Sequence, residues 1–283
     1  MKPHAGAGPG VPNLPSEVEA ILTAMLPRIR AALEANLVGV YLRGSLAAGG
    51  FRPETSDLDL LVVIALPVGE REFASLAALH EELRKSADPW GRRIEIAYID
   101  RPGLRRWEPG RRYPTLGQGE VLAWADHRSN WVLERWMLRE RAITLLGPDP
   151  QTLVDPISPD ELRAAVRDRL TDWADWAKDP ANPDWRLGPA HKAYVVETMC
   201  RARYTLAHGE LPSKEEAVAW ALETFPEPWL SIVRRSQSWR QDLSIDAAAL
   251  APEVMALVAW AATESGEEQR TGDREQGTVD SEQ

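Results

Sequence analysis

"LRGSLAAGGFRPETSDLDLLVVI", Leu42 to Ile64, sets a Gly44-Ser45 pair, a Gly49-Gly50 pair and two aspartates, Asp57 and Asp59, against one apolar run. From Leu58 to Leu66 that run is nearly continuous, the pattern of a strand covered on both faces. A carboxylate at the mouth of such a strand is costly unless it is paired or bound to a metal. Asp57 and Asp59 are two residues apart, so on extended chain they project to the same side. Side by side they repel, and a divalent cation between them cancels that repulsion. Magnesium suits the position, because it combines one or two carboxylates with substrate phosphates.

The flanks extend the pattern. Leu37 to Leu42 reads as a strand that breaks at Gly44-Ser45. Backbone N–H groups at such a strand-to-helix transition suit a phosphate, with Gly44 permitting close approach and Ser45 adding a hydroxyl donor. Upstream, Val18, Ile21, Leu22, Met25, Leu26, Ile29 and Leu33 recur at helical spacing, with Ser16 and Glu19 expected to form a capping box at the start. Downstream, a helix is expected over 70–85. Ile94, Ile96 and Tyr98 then alternate with Arg93, Glu95 and Ala97, which is a strand. Glu95 is the only acid inside that alternation. Beside the aspartates it can act as a general base for an attacking hydroxyl or as a ligand to a second metal.

The remaining chain changes character. "LGPDPQTLVDPISPDEL" is rich in proline and turn formers, which puts a domain boundary between Gly147 and Pro159. Beyond it Ser158 is expected to cap a helix carrying Leu162, Val166, Leu170 and Trp173, and helical patterns follow over 189–208, 213–224 and 247–263. The expected organisation is a disordered N-terminus over 1–15, an α/β domain with a small mixed sheet over 16–150, an all-α helical bundle over 151–263 and a disordered acidic tail over 264–283. The tryptophans, concentrated from Trp124 onward, are expected to pack between helices.

The 283 residues, 44% hydrophobic, suffice for two modest cores. The net charge of −10 argues against a nucleic-acid partner, which would favour a basic surface. The single cysteine, Cys200, excludes an internal disulfide and a cysteine-clustered zinc site. No secretory h-region and no apolar run of membrane-spanning length occur, so a cytoplasmic protein without a membrane partner is expected. His127 and His191 are given no catalytic role.

Gly44-Ser45, Gly49-Gly50 and Ser56-Asp57-Leu58-Asp59 together resemble the signature of the DNA polymerase beta-type nucleotidyltransferase superfamily. Within it the likeness is strongest to the streptomycin/spectinomycin adenylyltransferases, and it continues into "CRARYTLAHGELPSKEEAVAWALETFP", Cys200 to Pro226, which resembles their helical C-terminal domain. The resemblance implies ATP as nucleotide donor, Mg2+ held by Asp57 and Asp59, and transfer of AMP to a hydroxyl of a small, aminoglycoside-like acceptor. It also implies that Arg201 and Lys214 face the nucleotide phosphates, alongside Gly44 and Ser45. Two features depart from it. The stretch His191-Lys192-Ala193-Tyr194 is followed by Glu197 as its only nearby acid, and "RPGLRRWEPGRRYP" is rich in arginine, an odd lining for a polycation. Two alternatives therefore stand beside it: a toxin-type transferase acting on a protein or RNA end, and a non-catalytic member that senses nucleotide.

Overall fold

The computed structural model describes residues 14–276 other than Thr55 and Leu243, with side chains as far as Thr263. The chain divides into two compact units, Met1–Pro156 and Ile157–Gln283.

The first unit opens with α1 (Ser16–Leu33), whose buried stripe is Val18, Ile21, Leu22, Met25, Ile29 and Leu33. Its start differs from the expectation. Pro15, in extended conformation, occupies the cap, Ser16 is the first helical residue, and the Ser16 hydroxyl donates to Glu17 rather than capping the backbone. With Ser16 inside the helix, its side chain cannot reach back to the first free N–H groups.

The chain then runs through β1 (Leu37–Leu42), the short α2 (Gly44–Ala47), β2 (Leu58–Ile64), α3 (Glu70–Lys85) and β3 (Ile94–Asp100). It continues through α4 (Arg101–Arg105), β4 (Arg112–Leu116), β5 (Ala123–Asp126), α5 (Asn130–Arg141) and β6 (Ile143–Leu146). The strands form one mixed sheet in the order β5-β4-β3-β2-β1-β6. Only β2 and β3 pair in parallel; the other neighbours are antiparallel. The core joins α1 and α3 to the central strands, and β2 is buried along its length except at Asp59. That accounts for its unbroken apolar run.

The second unit is helical: α6 (Pro159–Ala177), α7 (Pro189–His208), α8 (Lys214–Thr224), α9 (Trp229–Ser236) and α10 (Ala247–Gln276). Helix α7 packs against each of the others. Capping boxes start α6 (Ser158 with Glu161) and α8 (Ser213 with Glu216). Aromatic side chains fill the space between helices. Trp173, Trp176, Trp185 and Tyr194 form one cluster, and Trp220, Phe225, Trp229 and Trp260 another. The backbone of α10 continues past Thr263 into the segment set apart above as a tail. The glutamates and glutamines there have good helix propensity, which carries a helix on without an apolar stripe. The expectation for the first thirteen residues and the last seven lies outside the described residues.

Candidate active site

The sheet register assembles the acids. Asp59 is the second residue of β2 and Glu95 the second of β3, and they are Cα partners across the parallel pair. Partners in a ladder project to one face, so the two carboxylates share a side at the ends of buried strands. Asp57 lies two residues before Asp59, and its Oδ1 accepts a hydrogen bond of 2.7 Å from Gln118 Nε2. The loop that follows β1 closes over this cluster. Gly44 has a φ of +64°, and a Cβ there would collide with the Asp59 carboxylate. Glycine is thus required twice over, by conformation and by space. Gly44 and Ser45 open α2, beside Asp59.

Charge is concentrated. Burial, and then the Asp59 charge, push Glu95 up to about 7, with Arg43 opposing the rise and Asp57 and Glu134 adding to it. A carboxylate poised near neutral pH is matched to proton acceptance from a hydroxyl. Arg43, the residue before Gly44, is buried among these acids. Its Nη1 donates to Glu134 Oε2 at 2.5 Å and lies 3.6 Å from Asp59 Oδ1. Burial works against its charge, but Glu134, Asp59 and Glu95 outweigh that and hold its pKa above the ordinary value.

The donor set fits magnesium. Asp59 and Glu95 present hard carboxylate oxygens on one face, and the Asp59 charge, which adds to burial in lifting Glu95, is what a divalent cation relieves. No preformed cage of three or more ligating side chains occurs among the described residues. Magnesium shared between one or two carboxylates and substrate phosphates requires none.

In the helical unit, Lys214 is the first residue of α8 and Arg201 sits on α7. Lys214 Nζ lies 3.7 Å from Glu197 and 5.4 Å from the Tyr194 ring centroid, and Arg201 Nε donates to the Pro212 carbonyl at 3.2 Å. Glu197 also accepts two hydrogen bonds from Arg240, at 3.1 and 2.6 Å. The fold thus brings Lys214 and Arg240 to one carboxylate, with Arg201 a turn beyond it on α7.

The features that departed from the resemblance have structural partners. Lys192 is fully buried, and its Nζ donates to the carbonyls of Asp184, Trp185 and Leu187 at 3.0–3.2 Å. In the arginine-rich loop, Arg105 and Arg106 pair with Asp155, Arg111 with Asp100 and Glu108, and Arg112 donates to the Trp124 carbonyl. His127 is buried against Trp131 and hydrogen-bonds Thr115, and burial pulls its pKa down to about 3.

Arg43, Glu134 and Arg240 were not singled out from the sequence. An arginine closing an otherwise apolar strand was a usable signal for the first. Glu134 and Arg240 lie in segments full of charge and carried none.

Residues 26–102 match the nucleotidyltransferase domain family, and residues 152–264 match the family described as aminoglycoside adenylyltransferase, C-terminal domain. The chain is similar to an aminoglycoside (3'') (9) adenylyltransferase of Shigella flexneri, 28% identical over 77% of this chain and 83% of the relative. It is also similar to a spectinomycin 9-adenylyltransferase of Staphylococcus aureus, 27% identical over 70% and 75%. Among solved structures, a spectinomycin adenyltransferase of Enterococcus faecialis with ATP and spectinomycin has the same fold, with a TM-score of 0.63 at 20% identity over 86% of this chain and 96% of that one. No helix among the described residues is long and apolar enough to cross a membrane.

Proposed function

We propose that this nucleotidyltransferase, a catalytic domain joined to an aminoglycoside adenylyltransferase C-terminal domain, moves AMP from ATP to a hydroxyl of an aminoglycoside-like acceptor. The observation that carries the reading is the register pairing of Asp59 with Glu95, with Asp57 and the Gly44-Ser45 loop beside them. Phosphoryl-type transfer is catalysed chiefly by positioning and by neutralising charge on phosphate oxygens. Gly44 and Ser45 receive the phosphates through backbone N–H groups and the Ser45 hydroxyl. Asp57 and Asp59 hold magnesium, which when bound supplies neutralising charge to the triphosphate. Glu95 takes the proton of the acceptor hydroxyl as its oxygen bonds the α-phosphorus, and pyrophosphate departs. Lys214 and Arg201 add cations toward the triphosphate.

Two observations support a cationic acceptor. The names of the similar proteins point to aminoglycosides and spectinomycin, and the cations that argued against such a ligand are committed elsewhere, Lys192 to three carbonyls and four loop arginines to carboxylates or a carbonyl. The carboxylate cluster also favours turnover over a merely nucleotide-sensing role.

The test is to incubate the purified chain with labelled ATP, Mg2+ and a panel of hydroxyl compounds that includes streptomycin and spectinomycin. An AMP adduct of one such antibiotic, with pyrophosphate release, is expected. Asp57→Asn is expected to lose nearly all transfer while melting cooperatively at a similar or higher temperature, because it removes one of two repelling acids. Substantial transfer by that variant overturns the metal pair. Transfer only to a compound of another class retires the aminoglycoside reading and keeps the nucleotidyltransferase chemistry.

A further inference from the structure

Arg43, buried, and Glu134, half-buried, form an ion pair at the edge of the carboxylate cluster. Arg43 follows β1 and precedes α2, Glu134 projects from α5, and Trp131 on the same helix lies under the guanidinium at 5.7 Å from its ring centroid. The two contacts of Nη1 are unequal. At 2.5 Å that to Glu134 is a hydrogen bond, whereas at 3.6 Å that to Asp59 is an ion pair beyond hydrogen-bonding distance. Nε makes no hydrogen bond among the described residues. The guanidinium is therefore anchored on Glu134 and leans toward Asp59. The Asp59 carboxylate also lies against Gly44, where a Cβ would collide with it.

We propose that Arg43 and Glu134 are positioning residues whose balance of charge beside Asp59 sets how tightly the divalent cation binds. This rests on the reading of Asp57 and Asp59 as metal ligands. Glu134 matches the charge of Arg43 and leaves the charge of Asp59 available to the metal. Without Glu134, the buried guanidinium keeps its charge but loses its hydrogen-bonded partner, and such a charge is drawn to the next carboxylate. That carboxylate is Asp59, so a cation then has to displace Arg43. Without Arg43 the sign reverses, because Glu134 is left beside the site as an additional negative charge.

The experiment titrates Mn2+ into the full chain without nucleotide, following free Mn2+ by electron paramagnetic resonance, with a thermal melt of each variant. Glu134→Gln is expected to weaken Mn2+ binding by roughly tenfold or more, the scale on which residues behind metal ligands act. Arg43→Gln is expected to tighten it, the double variant to return close to wild type, and Glu134→Asp to recover most of the affinity. A purely structural role would lower the melting temperature without shifts of opposite sign. If Asp57→Asn loses Mn2+ while Glu134→Gln binds it as wild type does, this inference alone falls. If Asp57→Asn binds Mn2+ as wild type does, the metal reading falls and takes the inference with it. Should Glu134→Gln fail to melt cooperatively, Arg43→Gln decides, and unchanged or weaker binding by that variant overturns the proposal.

Discussion

Glu95 carries the proton chemistry proposed for the site, and its surroundings explain why a glutamate can do so. Burial and the neighbouring Asp59 raise it to about 7, far enough that it accepts a proton readily and still ionises at neutral pH. Glu95→Gln keeps shape and removes proton acceptance, so turnover is expected to fall by about a hundredfold or more while ATP affinity stays nearly intact. Single-turnover rates and nucleotide titrations on the same variant separate the two quantities. Loss of nucleotide binding in place of turnover would make Glu95 a metal ligand.

Helix α3 and strand β3 meet through a buried polar contact, His80 Nε2 to the Tyr98 hydroxyl at 2.7 Å. Burial pulls the His80 pKa down to about 4. In the unfolded chain the ring titrates near 6.5, so between about 6.5 and 4 the unfolded state takes up a proton that the folded state refuses. Burying the neutral ring therefore costs no stability above that window, and stability declines as pH falls through it, by about 3 kcal/mol in total. Thermal melts across that range are expected to show a steeper decline for wild type than for His80→Gln. Equal slopes would place the acid sensitivity elsewhere. His127, pulled down to about 3 by its own burial, keeps part of the slope in the variant.

Taken by itself, the helical unit carries the two cations, Lys214 and Arg201, that the proposed function assigns to the nucleotide. Lys214→Ala and Arg201→Ala are each expected to raise the ATP concentration needed for half-maximal rate, because they remove charge-assisted contacts to phosphate, and to disturb acceptor affinity less. Initial rates at varied ATP and fixed acceptor check this. An unchanged ATP dependence in both variants would exclude the helical unit from nucleotide binding. The Lys214 position makes the expectation physical. A lysine in the first turn of α8 is opposed by the helix dipole, and Glu197 at 3.7 Å offsets that cost.

Much of this was written in local pattern. The apolar run after Asp57 identified a doubly covered strand, the two-residue spacing put Asp57 and Asp59 on one side, and the period-two stretch around Glu95 marked the neighbouring strand. Each depends only on residues close in sequence, as does the Ser158 cap. Strands β4 to β6 were not legible, because strands of four or five residues with mixed polarity are recognisable only beside the partners they pair with. The register that faces Asp59 with Glu95, and the contact that brings Glu134 to Arg43 across 91 positions, came from folding. So did the burial of Lys192, an ordinary surface residue by type. A charged side chain's role is set by which carbonyls and carboxylates surround it, and those neighbours arrive from distant parts of the chain.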